Sequence, residues 1–205
     1  MIGIRNSLFC LLLLSSAAPA VAKIEAWRLD PVHTRVLFRV DHAGFSQALG
    51  VFPDVSGELH FDPDDWSGAR LDVTVPLASL QIGDDSWRDK LLSGTWLDAD
   101  AAATARFRST RVQSAGDGQA TVIGELTLKG HTREISLDVR LNKLARNPLT
   151  FRRTAGFSAT ASLDRRDFGM AEWPNVVGQR VQLEIQAEAV RYTPSPDQER
   201  DDADP

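Results

Sequence analysis

The ten residues Arg180-Val181-Gln182-Leu183-Glu184-Ile185-Gln186-Ala187-Glu188-Ala189 decide the fold class. Val181, Leu183, Ile185, Ala187 and Ala189 alternate with polar neighbours, a period of two that lays every apolar side chain on one face of an extended strand. A helix would scatter the same residues around its axis. Seven other runs repeat the pattern. Val36, Phe38 and Val40 alternate with Arg35, Arg39 and Asp41; Val55, Gly57, Leu59 and Phe61 alternate with Ser56, Glu58 and His60. Leu71, Val73, Val75 and Leu77 form a third run, Ala105 and Phe107 a fourth, and Val122, Gly124, Leu126 and Leu128 a fifth. The turn at Gly130-His131 leads into Ile135, Leu137, Val139 and Leu141, so the fifth and sixth runs predict a hairpin. Phe157, Ala159, Ala161 and Leu163 complete the set.

Eight amphipathic strands predict an antiparallel sheet with one wet and one dry face. Only Asp84 to Leu92 reads as helix, with capping residues at Asp84, Asp85 and Ser86 and with Trp87 and Leu91 on one face. One short helix cannot cover eight strands. The sheet must therefore close on itself as a barrel or fold over as a sandwich.

The chain of 205 residues is 42% apolar and 25% charged, the composition of a globular domain. Its formal charge of −5 lacks the basic excess that phosphate backbones attract, so nucleic acid is not expected as a partner. Arg5 followed by the apolar run Leu8 to Leu14 and small residues Ser15 to Ala22 reads as a secretory signal peptide over residues 1–22, cleaved near Ala22. Cys10 lies before most of the Leu-rich run, which argues against a lipid anchor there, and cleavage would remove this only cysteine. Periplasmic localisation is the expectation. Residues 23–192 are then the folded domain. The tail 193–205, rich in acids and proline, is expected to be disordered.

The four histidines form no metal-binding motif, and no complete nucleophile elbow is present. Asp167-Phe168-Gly169 matches a kinase triplet in letters alone, without the other kinase elements. No catalytic residue, metal or cofactor is indicated, and the expectation is a non-enzyme. His42, Arg88 and Asp89 offer only a weak acid, base and anion-binding set. His42 keeps phase with Val36, Phe38 and Val40 and so points inward at a strand end, where it bonds either loop backbone or a ligand's polar head.

Phe45, Phe52, Trp87, Trp96, Phe168 and Trp173 fall in loops or the helix, where they either roof the core or line an apolar entrance. Within the strands the inward set includes Gly57, Gly124, Ala105, Ala159, Ala161, Ala187 and Ala189. An eight-stranded barrel is either just filled by side chains or holds one small ligand, and small inward residues favour space.

The words between the strands resemble the YceI family of polyisoprenoid-binding periplasmic proteins, from about Trp27 to Tyr192. Asp30-Pro31-Val32-His33-Thr34 with His42-Ala43-Gly44-Phe45 is similar to its opening signature, and Gly50-Val51-Phe52 with Phe61-Asp62-Pro63 to its second. Ser79 with Arg88-Asp89-Lys90-Leu91, Phe107-Arg108-Ser109, Gly124 to Gly130 and Arg165-Arg166-Asp167-Phe168-Gly169 follow in the family's order. The resemblance implies an all-β fold: a single eight-stranded antiparallel lipocalin-like barrel with one short helix, holding a long isoprenoid lipid. The expected ligand-binding residues are Val36, Phe38, Val40, His42, Phe45, Phe52, Trp87, Arg88, Leu91, Trp96, Ala105, Phe107, Phe157, Ala159 and Phe168. Ala103 and Ala105 replace the family's proline and isoleucine, and Asp164 its asparagine; the alanines would widen the cavity. Some family members occur beside or fused to cytochrome b561-like membrane proteins, which adds such a cytochrome, in a redox or stress-protective role, as the alternative partner. The sequence fixes no oligomeric state.

Overall fold

The computed structural model describes residues 23–194, so the expected signal peptide and residues 195–205 of the expected tail lie outside the described part. Ten strands in antiparallel contact form eight staves of a closed barrel. Strands β1 (Glu25–Leu29) and β2 (Arg35–His42) make one broken stave, and β3 (Ser46–Phe52) and β4 (Ser56–Asp62) a second. The others are β5 (Asp65–Pro76), β6 (Thr104–Gly116), β7 (Gln119–Leu128), β8 (His131–Arg146), β9 (Arg153–Asp164) and β10 (Val177–Tyr192).

β10 closes the barrel because it meets both halves of the first stave. Its Ala189 lies opposite Leu29 of β1, and its Gln186 lies opposite Arg35 of β2. Between them the chain breaks at a turn in which Asp30 accepts a hydrogen bond from the Val32 amide at 2.8 Å and faces His33 Nδ1 at 2.9 Å. β4 pairs with β1 and with β5, whereas β3 meets the segment after β5 only through mutual Val51–Gln81 backbone bonds of 2.9 Å.

All eight expected runs are strands, the helix is α1 (Asp85–Leu92), and the alternation failed only at β1 and β3. In β1, Glu25 takes an inward position beside Trp27 and Leu29, where Arg191 at 3.2 Å and Arg153 at 3.8 Å balance its charge. In β3 the usual pattern is inverted. Register with Val36, Phe38 and Val40 turns Phe52, Gly50 and Ala48 inward and leaves Leu49 62% exposed. Phe52 is thus a strand residue, contrary to the expectation of a loop.

The barrel has a bottom and a top. At the bottom, Phe61 stands between Trp27, Trp66 and Phe157 with ring centroids 5.4, 6.0 and 5.9 Å away, distances typical of attractive aromatic pairs. Trp27 is fully buried. At the top the chain from Leu77 to Ala103 crosses the opening. Its helix α1 begins where the Asp84 carboxylate accepts the Trp87 amide at 2.9 Å, and Leu77, Leu80 and Trp96 are buried beneath it. Arg165, only 2% exposed, pins the loop after β9 by donating from Nε and Nη2 to Gly178 and Val177 carbonyls at 2.9 Å and from Nη1 to the Met170 carbonyl. Its guanidinium also stands 5.2 Å from the Trp96 ring, and burial lowers its pKa below the ordinary arginine value.

Candidate functional site

The inward phase of the staves encloses an apolar cavity of about 300 Å³ between the aromatic bottom and the covered top. Side chains from every stave reach it, and its lining presents only apolar surface. Val36, Phe38 and Val40 enter from β2 and Phe52 from β3; Ala105 and Phe107 enter from β6, and Phe157 and Ala159 from β9. Leu91, Trp96 and Phe168 lower the roof onto it. Trp96 and Phe168 are 7% and 1% exposed, so these two loop aromatics are roof and cavity wall at once.

The other four expected residues lie outside the lining. Phe45 is 91% exposed at the tip of the β2–β3 turn. His42 stacks against Trp87 with ring centroids 5.4 Å apart, at the rim rather than in the cavity. Arg88 spends its guanidinium on backbone: Nε donates to the Leu80 carbonyl at 3.0 Å and Nη2 to that of Ala78 at 2.6 Å. These bonds hold the crossing segment in place and draw the arginine away from a head-group role. A charged side chain that finds backbone acceptors this near gains about 1.5–3 kcal/mol per bond.

The inward glycines leave no space, contrary to the expectation drawn from their size. A Cβ on Gly50 would fall 2.3 Å from the Phe38 ring, and one on Gly124 would fall 2.6 Å from the Phe107 ring. Gly57 is pressed in the same way against the Asp72 carbonyl, at 2.4 Å. The phenylalanines fill what the glycines vacate, and the open volume lies beside Ala105, Ala159 and Ala187. Sequence reasoning also passed over Trp66, Leu97 and Met170, which line the cavity. Trp66 follows the Asp62-Pro63-Asp64-Asp65 turn, where polar residues hide the start of β5.

The wall is unzipped between the upper parts of β8 and β9, as it also is between β5 and β6 below Asp72–Arg108. The β8–β9 ladder rises from Arg146 opposite Arg153 to Asp138 opposite Thr160 and stops there. Above that point β8 pairs only with β7, and β9 only with β10. A polar crevice of about 680 Å³ lies on the outer side of this seam. Beside it the Arg166 guanidinium holds the Asp164 carboxyl well below its usual range, at about 2.

The chain matches the YceI-like domain over residues 27–189. A UPF0312 protein of Serratia proteamaculans is 36% identical over 180 residues, covering 87% of this chain and 92% of that protein. A UPF0312 protein of Vibrio cholerae is 34% identical over 162 residues, covering 78% and 82% respectively. Among solved structures, BcnA of Burkholderia cenocepacia aligns with a TM-score of 0.71 at 22% identity, covering 78% of this chain and 98% of that one. A polyisoprenoid binding domain from Saccharophagus degradans, implicated in plant cell wall breakdown, aligns at 0.64 and 12% identity, covering 82% and 99%. Likenesses at these identities establish the shared barrel.

Proposed function

The chain belongs to the YceI-like family, and from that premise we propose that it is a binding protein, carrier or sequestering, for a long-chain isoprenoid lipid whose tail lies in the barrel cavity. The observation that carries this reading is the wholly apolar cavity between the two ends of the barrel. Each buried CH₂ of a polyprenyl tail contributes roughly 0.8 kcal/mol, against which stand the ordering of a flexible chain and its lost translation. An apolar wall supplies transfer free energy but neither proton donor nor acceptor, which favours binding over catalysis. The description of the Saccharophagus degradans domain as polyisoprenoid binding supports the same ligand class.

The proposed compartment is the periplasm, reached after cleavage behind Ala22. Cleavage there would set the new α-ammonium of Lys23 on the buried Asp62 carboxylate, whose Oδ2 lies 2.7 Å from that nitrogen.

The test is mass spectrometry of an organic extract of the purified protein, joined to tryptophan-fluorescence titration with isoprenoids of increasing length. Trp66 and Trp96 line the cavity and report its occupation. A co-extracted isoprenoid and affinity that rises with chain length are expected. A folded protein that binds no isoprenoid overturns the proposal.

A further inference from the structure

The β8–β9 seam lies between two spaces that share part of their lining. Ile135, Leu163, Phe168 and Leu183 line both the apolar cavity and the outer polar crevice, so side chains alone separate the two there. Ladder bonds are also missing between β3 and the segment after β5, apart from Val51–Gln81, and between β5 and β6 below Asp72–Arg108, but it is at the β8–β9 gap that an outer polar crevice shares lining residues with the cavity. At the seam, His131 to Leu137 and Ala161 to Asp164 have no partner across the gap, so a side-chain rotation opens a path without breaking a ladder. Rotations of this kind are fast compared with strand separation.

The crevice also has a definite chemistry. Three arginines and five carboxylates line it, with Arg39 already paired to Glu184 at 3.0 Å. Ser136, Thr160 and Ser162 add hydroxyls. With Arg166 paired to Asp164 at 2.6 Å beside the crevice, carboxylates still outnumber guanidiniums by one and disfavour a phosphate, while hydroxyl and guanidinium groups suit an uncharged oxygen. We infer that the β8–β9 seam is the ligand portal, with the crevice outside it holding a neutral, oxygen-bearing head group while the tail passes inward. This rests on the isoprenoid reading above and adds the path and the head-group class.

The test uses the full chain with Cys10→Ser, so that introduced cysteines are alone. Continuing the ladder two residues past Asp138–Thr160 puts Ser136 opposite Ser162, and both are replaced by cysteine. Stopped-flow tryptophan fluorescence then follows uptake of farnesol. The disulfide form should take up farnesol at least tenfold more slowly than the same protein after reduction. Where the bridge does not form, Ser162→Cys alone, labelled quantitatively with a bulky maleimide, should slow uptake similarly. The same label on Glu125→Cys, an exposed position on β7, should leave the rate unchanged. Farnesyl phosphate should bind at least tenfold more weakly than farnesol.

Unchanged uptake with the seam bridged or blocked overturns the portal, and equal affinity for the phosphate overturns the head-group assignment. The unmodified protein separates these outcomes from failure of the carrier reading. If it takes up farnesol and the seam variants do too, the portal alone falls; if it binds no isoprenoid, both fall.

Discussion

The two ends of this barrel solve the same problem differently. The bottom is closed by interlocking rings around Phe61 and by β1 pairing on both sides, while the top is spanned by a chain segment and leaves β8 and β9 unjoined. Aromatic rings packed around Phe61 make up the floor. A roof tied down by Arg88 and Arg165 through backbone carbonyls seals the other end, with the weak line displaced to the side wall. Aromatic packing is concentrated at the bottom, and the β8–β9 gap proposed as the portal lies towards the top.

The sharpest way to break this contrast is Phe61→Ala. A residue 2% exposed amid three rings should cost about 3–5 kcal/mol in chemical denaturation, whereas Phe45→Ala, 91% exposed at the top, should change stability by less than about 0.5 kcal/mol. Comparable losses would mean that the top rim is core and the division between the ends is wrong.

A smaller effect probes the space between them. Ala159→Phe places a ring in the open volume, so isoprenoid affinity should fall by about tenfold in fluorescence titration, with the melting temperature nearly kept. A large loss of stability with affinity intact would show that Ala159 faces a filled site.

The smallest effect sits at the break in the first stave. Hydrogen bonding to Asp30 raises the pKa of His33 above its ordinary value. The charged pair therefore helps hold the turn below pH of about 6.5, and its help is lost as pH rises through the higher folded value. NMR titration should find the His33 midpoint above about 6.5, and Asp30→Asn should lower it. A midpoint that ignores Asp30→Asn would refute the pairing.

Alternation made the strands legible because it reports which face a side chain takes. It was silent at β1, where a paired Glu25 occupies an inward place, and misleading at β3, where Gly50 yields its volume to Phe38. The cavity wall was legible for the same reason as the strands: Val36, Phe38, Ala105 and Ala159 all follow inward phase. His42, Phe45, Trp87 and Arg88 fall outside it because their positions depend on turns and on local backbone acceptors, which no period encodes. The seam was invisible for a deeper reason. Ile135, Leu137, Ala161 and Leu163 keep perfect phase, and phase says nothing about whether a strand has a neighbour.

The closure of β10 against β1 sets a timetable for folding. Trp27 meets Arg191, so every strand from β1 to β10 must exist before the barrel can shut, and such non-local pairing folds on the order of milliseconds to seconds. At synthesis rates of roughly 5–20 residues per second, the stave from Val177 onward takes on the order of seconds to emerge. Throughout that interval β9 and the first stave are bare edges, open to pairing with other chains. A nascent chain of this design cannot complete its wall until β10 has been made, because β10 alone bridges β9 to the first stave.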